Sequence, residues 1–477
     1  MMTSTSPADD ARGLWKPRIR TLVLALAMLL SLALWFFPSS IKPDARHALA
    51  VSLLVLIMWV ARILPHAITG LIGCYLFWTV VRVPPATAFG GFTNISAWFV
   101  FATGLFGLMM TKTRLAHRLA AWLMGRSGVS YSRLVLSFLL TSLLLNFLVP
   151  SGIARVIILA GIGLGVVSSR GWGPEALPAR GLFVALTFSS TLFDKLMITG
   201  GSTIVAQGII EKVGGTPVYW SQWLFAMLPA LVVSLFACWL VIVWLFPADP
   251  LKSGASQGPL EAGRRQGGAW GPVETRCAFL LMAALTFWVT DFIHHIHPAV
   301  VALGIALVAT LPRIGVLEPE DLKQINFLPF IFTASALSLG EGLMKTGALT
   351  VVTQALTTCW GPWAYSFLPS ATVLYWTSFA YHLLVPSDPT TLATSMPTVM
   401  NFALAHRWNP VAAGLVWTLG LTGKIFVYQS GATIAGFSFG YFQVRDFLKV
   451  GICLAVVEFL VLLILLVWYW PLIGLIR

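Results

Sequence analysis

Arg155, Lys195 and Lys424 stand inside apolar stretches of this sequence, with Asp194 and Asp388 as possible partners. Charges in such surroundings are expensive, and they face a wet cavity or one another. Three cations against two acids leave a formal excess of +1, which favours an anionic ligand. Arg155 has the alternative of snorkelling to an inner surface, and the lysines that of simple pairing with the aspartates. Two further features carry polar groups into apolar surroundings. Pro150-Ser151-Gly152-Ile153-Ala154-Arg155 and Pro386-Ser387-Asp388-Pro389-Thr390-Thr391 each break one helix and cap the next. A helix beginning there presents free N–H groups and a positive dipole end, which suit a carboxylate or another oxyanion. Thr199-Gly200-Gly201-Ser202-Thr203 and Gln429-Ser430-Gly431-Ala432-Thr433 place small residues and hydroxyls in mid-run. There the chain can unwind and free its amides, or pack closely against a neighbour. The expected anion-binding residues are Ser151, Gly152, Arg155, Lys195, Ser202, Thr203, Ser387, Asp388, Thr390, Lys424, Ser430 and Thr433.

Elements that hold such groups must themselves be apolar, and they are. Of 477 residues 58% are hydrophobic and 10% charged, with a mean hydropathy of +0.85. Soluble domains average about 45–50% apolar and about 25% charged, which excludes a water-soluble protein. The expected fold is an all-α polytopic membrane protein. Apolar runs place spans at 21–37, 48–64, 66–82, 95–111, 181–213, 220–246, 277–293, 298–311, 326–344, 410–436 and 447–470. Stretches 131–170 and 364–405 each hold two arms, short for full spans, around a Pro-Ser turn. They read as re-entrant hairpins, tolerated at membrane depth only when buried in protein or lining a cavity. With the N-terminus inside, 20 Lys and Arg residues fall inside and 7 outside, the bias that a membrane protein requires. The topology is thus eleven spans and two opposed hairpins, N-in and C-out.

The same placement explains the net charge of +13 without nucleic acid. Cys74, Cys238, Cys277, Cys359 and Cys453 form no CxxC pair, so neither zinc nor disulfide stapling is expected. The run 21–37 ends in Trp35-Phe36-Phe37-Pro38, without a small-x-small cleavage site, and reads as a retained first span. His294-His295-Ile296-His297 lies in a short outer loop and reads as a solvated turn, not a metal site. Glu341 and Glu458 stand in apolar runs and could relay protons or bond a neighbouring helix. The amphipathic stretches after Lys112 and Lys345 read as interfacial helices. Catalysis would need a general acid–base pair, for which only the His294 cluster or the paired charges could serve, so the chain is not read as an enzyme, and no metal or cofactor is expected.

The chain repeats itself. Leu148-Val149-Pro150-Ser151 recurs as Leu384-Val385-Pro386-Ser387, and Gly201-Ser202-Thr203-Ile204 approximately as Gly431-Ala432-Thr433-Ile434. Phe99-Val100-Phe101 with Lys112-Thr113 recurs, more weakly, as Phe332-Thr333-Ala334 with Lys345-Thr346. The expected organisation is an N-terminal segment (1–47), a first repeat (48–247), a Gly-rich cytoplasmic linker (248–276) and a second repeat (277–477). In the topology above the repeat is inverted. Inverted repeats with broken helices near mid-membrane point to a secondary transporter.

The order of these features resembles the divalent-anion/sodium symporter family. The likeness is carried by Phe89-Gly90-Gly91-Phe92-Thr93-Asn94, Lys112-Thr113-Arg114-Leu115-Ala116, Gly440-Tyr441-Phe442 before Asp446-Phe447, and Pro150-Ser151…Ala154-Arg155. The resemblance implies a homodimer in the bacterial inner membrane that carries dicarboxylates, citrate or sulfate by an elevator movement. Membrane lipid and a small-molecule anion are its implied partners, and sodium its coupling ion. The family's Ser-Asn-Thr tip motif is replaced by Ser151-Gly152-Ile153 and Ser387-Asp388-Pro389, and its Thr-Pro-Pro-Asn stretches are absent. Side-chain oxygens that build sodium sites are lost, while Lys195 and Lys424 stand just upstream of the unwound segments. The hypothesis is that fixed ammonium groups replace one or both sodium ions, giving a sodium-independent carrier or an exchanger. Two other readings stay open: a cation/proton antiporter using Asp194 and Asp388, and a non-transporting component of an envelope-biosynthesis system.

Overall fold

The computed structural model describes residues 17–37, 41–116, 118–119, 130–149, 151–248, 271–360, 366–385 and 387–476. Among them secondary structure is helical throughout. The longer helices of the first half are α1 (Pro17–Phe36), α2 (Pro43–Val60), α3 (His66–Thr79), α4 (Ile95–Thr113), α5 (Tyr131–Leu148), α6 (Gly152–Ser169), α7 (Leu177–Leu196), α8 (Gly201–Gly214) and α9 (Trp220–Leu245). The second half follows with α10 (Pro272–Val289), α11 (Pro298–Val308), α12 (Leu328–Lys345), α13 (Ala348–Trp360), α14 (Phe367–Leu384), α15 (Asp388–Ala405), α16 (Pro410–Leu419), α17 (Gly431–Phe437) and α18 (Val444–Ile464). Among the described residues seven helical stretches are long and apolar enough to cross a membrane. The all-α polytopic expectation is thereby met.

Differences from the sequence reading are local. Helix α10 begins at Pro272, inside the stretch expected to be linker. Proline at the first helical position, with Glu274 accepting the Gly271 N–H at 2.7 Å, starts the helix earlier than hydropathy alone does. The linker residues 249–270 lie outside the described residues, as does most of the amphipathic stretch after Lys112. Each arm of the two hairpins has 18 residues, about 27 Å at 1.5 Å per residue. The arms are longer than a shallow dip, because helix resumes within three or four residues of the first arm's end.

Packing follows one scheme built twice. The second arm of the first hairpin, α6, lies along α7 of its own half and α17 of the other. The second arm of the second hairpin, α15, lies along α16 of its own half and α8 of the other. Stretch α7–α8 is enclosed almost completely, whereas α10 is largely bare. Enclosure is what lets α7 carry Thr187, Ser189, Ser190 and Thr191. Each of these hydroxyls bonds a carbonyl three or four residues back, so no polar group is stranded.

Both interrupted elements are real breaks. Helix α7 stops at Leu196 and α8 starts at Gly201; α16 stops at Leu419 and α17 starts at Gly431. The longer break is stabilised by Gln429, whose side-chain oxygen accepts the N–H groups of Ile425 at 2.8 Å and Phe426 at 2.7 Å. One side chain thus satisfies two backbone donors that an unwound segment would otherwise bury unpaired.

Candidate functional site

The breaks and the hairpin tips converge on one buried ionic network. Arg155 is fully buried in the first turn of α6. Its guanidinium donates to the carbonyls of Val149 (2.6 Å) and Ser190 (2.8 Å) and to Asp194 Oδ1 (3.1 Å). It ties the first tip to the end of α7 and does not snorkel. Asp194 Oδ2 accepts from the Ser202 hydroxyl at 2.6 Å and from Lys195 at 3.0 Å. Gly200 has no side chain because a Cβ there would collide with the Asp194 carboxylate.

Lys195 closes the gap between the halves. Its Nζ lies 3.0 Å from Asp194 Oδ2, 3.0 Å from Ser202 Oγ and 3.2 Å from Asp388 Oδ2. Lys424, buried in the second break, has three acceptors of its own: Asp388 Oδ1 at 2.6 Å, the Leu421 carbonyl at 3.0 Å and His382 Nε2 at 3.2 Å. An ammonium has three N–H donors, so each lysine is saturated by protein. The contacts are those of the alternative in which the lysines pair with the aspartates: they supply charge, and an anion touches them only by displacing a present partner.

Asp388 sits in the first turn of α15, where the helix dipole favours a carboxylate. Both its oxygens are shared between cations from the two halves. His382, one turn before the tip, has Nδ1 3.1 Å from the Val385 carbonyl, an acceptor only. Its Nε2 lies 3.2 Å from Lys424 Nζ and 3.1 Å from Asp388 Oδ1, so the ring touches both members of that ion pair. His382 escaped the sequence reading; its signal was a lone histidine in an apolar arm just before a Pro-Ser turn.

The remaining expected residues lie around the network and serve the backbone. Ser151 accepts the Ala154 N–H at 3.3 Å, a helix cap as expected. Ser387 makes no such cap with its side chain and instead accepts from the Thr390 hydroxyl at 2.9 Å. Ser430 accepts the Ala432 N–H and Thr433 the Ser430 N–H, a reciprocal cap. Thr203 donates to the Gly200 carbonyl at 3.0 Å. Gly152 lies against the Ser190 carbonyl and Ala432, and Ile153 against Gly431. Ser151, Ile153 and Gly431 are exposed at this side of the otherwise buried network.

Other candidates resolve as contacts between helices. Glu341 pairs with Lys212 at 3.1 Å. His297, expected to be solvated, pairs with Glu211 at 2.9 Å. No cluster of three metal-binding side chains occurs among the described residues.

Comparison with known proteins places this architecture. The sodium:sulfate symporter transmembrane region matches residues 16–476. A membrane protein of Cupriavidus necator is 22% identical over 461 residues, covering 92% of this chain and 89% of that one. The L-tartrate/succinate antiporter of Escherichia coli K12 is 25% identical over 404 residues, 80% of each chain. The citrate/succinate antiporter of the same strain is 23% identical over 405 residues, again 80% of each. Among solved structures, the YdaH transporter of Alcanivorax borkumensis superposes with a TM-score of 0.55 at 13% identity, covering 96% of this chain and 99% of that one. That likeness concerns the fold alone. The resemblance carried by the sequence motifs is met by a match over almost the whole chain: this multi-span membrane protein belongs to the sodium:sulfate symporter family, the divalent-anion/sodium symporters.

Proposed function

We propose that this protein is a secondary transporter of di- or tricarboxylates that exchanges one anion for another and does not use sodium. The observation that carries the reading is the buried network of three cations and two carboxylates, whose formal sum is +1. A cation excess under low dielectric attracts an anion strongly, since charge interactions are far less screened there than in water. Relatives named for L-tartrate/succinate and citrate/succinate exchange support the cargo class and the exchange mode.

Lys195 and Lys424 each sit in a cage of acceptors at 2.6–3.2 Å. A small cation held between a hairpin tip and a broken helix would need such a cage. The ammonium groups take that place and cannot leave, so a sodium gradient has nothing to act on. The cargo carboxylate enters on the exposed side, at the first turn of α6 beside Gly431 and Ala432, where free N–H groups and the dipole of an 18-residue helix meet it. Asp388 plays the corresponding part in the second half, as an internal anion already seated at the start of α15. The same reading includes eleven spans with the N-terminus inside, a homodimer in the bacterial inner membrane, and elevator movement of the hairpins and broken helices as one body.

Purified protein reconstituted in liposomes loaded with unlabelled succinate tests this directly. Counterflow of labelled succinate is expected with sodium or with choline as the only external cation. Uptake that vanishes in choline sinks the sodium-free reading. Loss on Asp388→Asn with full retention on Lys195→Met and Lys424→Met favours cation exchange at the carboxylates instead. Binding free energy adds to stability, so a thermal-shift panel of dicarboxylates, citrate and sulfate ranks the cargo.

A further inference from the structure

Five carboxylates are buried among the described residues: Asp194, Asp291, Asp388, Asp446 and Glu458. Four have partners that stabilise a negative charge. Asp194 and Asp388 take the network cations, Asp446 takes Arg180 at its own helix start, and Asp291 accepts the N–H groups of Trp220 and Ser221. Glu458 does not fit this pattern. It is 1% exposed on α18, forms no ion pair, and bonds only to the Thr422 hydroxyl; Oε1 has no hydrogen-bond partner.

The hydrogen bonds around it suit a protonated carboxyl. Thr422 has a single hydroxyl proton, and its Oγ1 lies 2.5 Å from the Leu419 carbonyl, which can only accept. One hydroxyl proton serves one of these two acceptors at a time; a proton on the Glu458 carboxyl lets both contacts of Thr422 Oγ1 be hydrogen bonds. Thr422 belongs to the second break, two residues before Lys424. The face of α18 that carries Glu458 also carries Gly451 and Ala455, which pack on the Lys424 carbonyl and on Gly423. The titratable and charged groups facing Glu458 are Cys238 from α9, Tyr375 from α14 and Lys424 from the break; Lys424 is the cation whose field reaches it.

We propose that Glu458 is a proton-binding site whose proton is taken up together with the transported anion. This rests on the anion reading above. With its proton, Glu458 leaves Lys424 to Asp388 and to the pocket. Ionised, it becomes a second buried carboxylate competing for the same ammonium, and drawing Lys424 towards α18 removes the positive excess that holds the cargo. Protonation and anion binding thus favour each other, and by linkage the coupling is reciprocal.

The test uses purified full-length protein and succinate as the probe, with titration calorimetry from acid to alkaline pH in buffers of different ionisation enthalpy. Wild type is expected to lose up to about tenfold in affinity per pH unit above the titration of Glu458, taking up one proton per succinate there. E458Q keeps a neutral side chain whose amide can donate to Thr422, so it should bind with the acid-side affinity at every pH. An unchanged pH slope in E458Q, which would assign the proton to His382, or binding without proton uptake in wild type overturns the proposal. Infrared difference spectra of ligand-free wild type and E458Q read the proton independently: a carboxylic-acid carbonyl band lost in the variant is expected, and its absence also overturns the proposal. Failure of wild type to bind any dicarboxylate at any pH is a different result, removing the anion reading underneath and the coupling with it.

Discussion

The two halves build the same scaffold and load it with opposite charge. In the first, the hairpin tip carries a cation, Arg155, paired with an acid at the end of the following helix, Asp194, 3.1 Å away. In the second, the tip carries an acid, Asp388, paired with a cation in the following break, Lys424, 2.6 Å away. Aligning Gly201 with Gly431 puts Asp194 on Lys424, whereas in the tips, aligned on Ser151 and Ser387, Arg155 matches Thr391 and Asp388 matches Gly152. Lys195 then spans the seam, 3.2 Å from Asp388. A duplicated fold thereby becomes an asymmetric site: the second tip holds a carboxylate of its own, and on the proposed reading the first receives that of the cargo.

Removing the shared acid breaks this contrast most severely. Asp388→Asn strands two lysines and alters the setting of His382; breaking a buried pair costs about 3–5 kcal/mol, so a large loss of thermal stability in detergent is expected. A wild-type melt for that variant would mean that the halves are not joined through Asp388. Arg155→Lys keeps the charge of the first tip but loses the fork that reaches two carbonyls and a carboxylate together. Its cost should be smaller, on the order of 1.5–3 kcal/mol for hydrogen bonds to a charged group, and should add to that of Ser202→Ala less than independently, since both act on Asp194. Comparing the caps sharpens the contrast further. Ser151→Ala removes a backbone cap worth about 1 kcal/mol, whereas Ser387→Ala, which removes only an acceptor for Thr390, should cost less in the same melts. The smallest effect lies at the membrane surface. The Glu318 backbone N–H, and then Lys112 at 2.6 Å, hold the Asp321 carboxyl below its ordinary value. The stabilisation is present above the unfolded carboxylate value and fades as pH falls through the lower folded one. Lys112→Met should therefore narrow the difference between melts at pH 6 and pH 3, and an unchanged difference would remove Lys112 from the account.

What the sequence disclosed, and what it withheld, separates by range. The breaks at 197–200 and 420–430 and both hairpin turns were readable because Gly, Pro, Ser and Thr act on their own neighbourhood. The aspartates were readable as a group of possible partners for the lysines, but the individual pairings and His382 were not. Lys195 meets Asp388 across 193 residues, and Lys424 meets His382 across 42; no local pattern encodes such pairings, which follow from α15 lying along α8. Saturation of the lysines was hidden for the same reason, since the Leu421 carbonyl and the Ser202 hydroxyl become acceptors only once the chain has unwound. The helix start at Pro272 was legible in Gly271-Pro272 but masked by the Gly-rich composition before it.

Because α7 and α8 are jacketed by other helices along their length, no lateral route from the surrounding lipid reaches the network past them. At the first tip the exposed residues are Ser151, Ile153 and Gly431, and the Ile153 side chain packs on Gly431. An uncharged contact between the two halves thus borders the ionic network. On the proposed reading its bulk limits the size of the cargo.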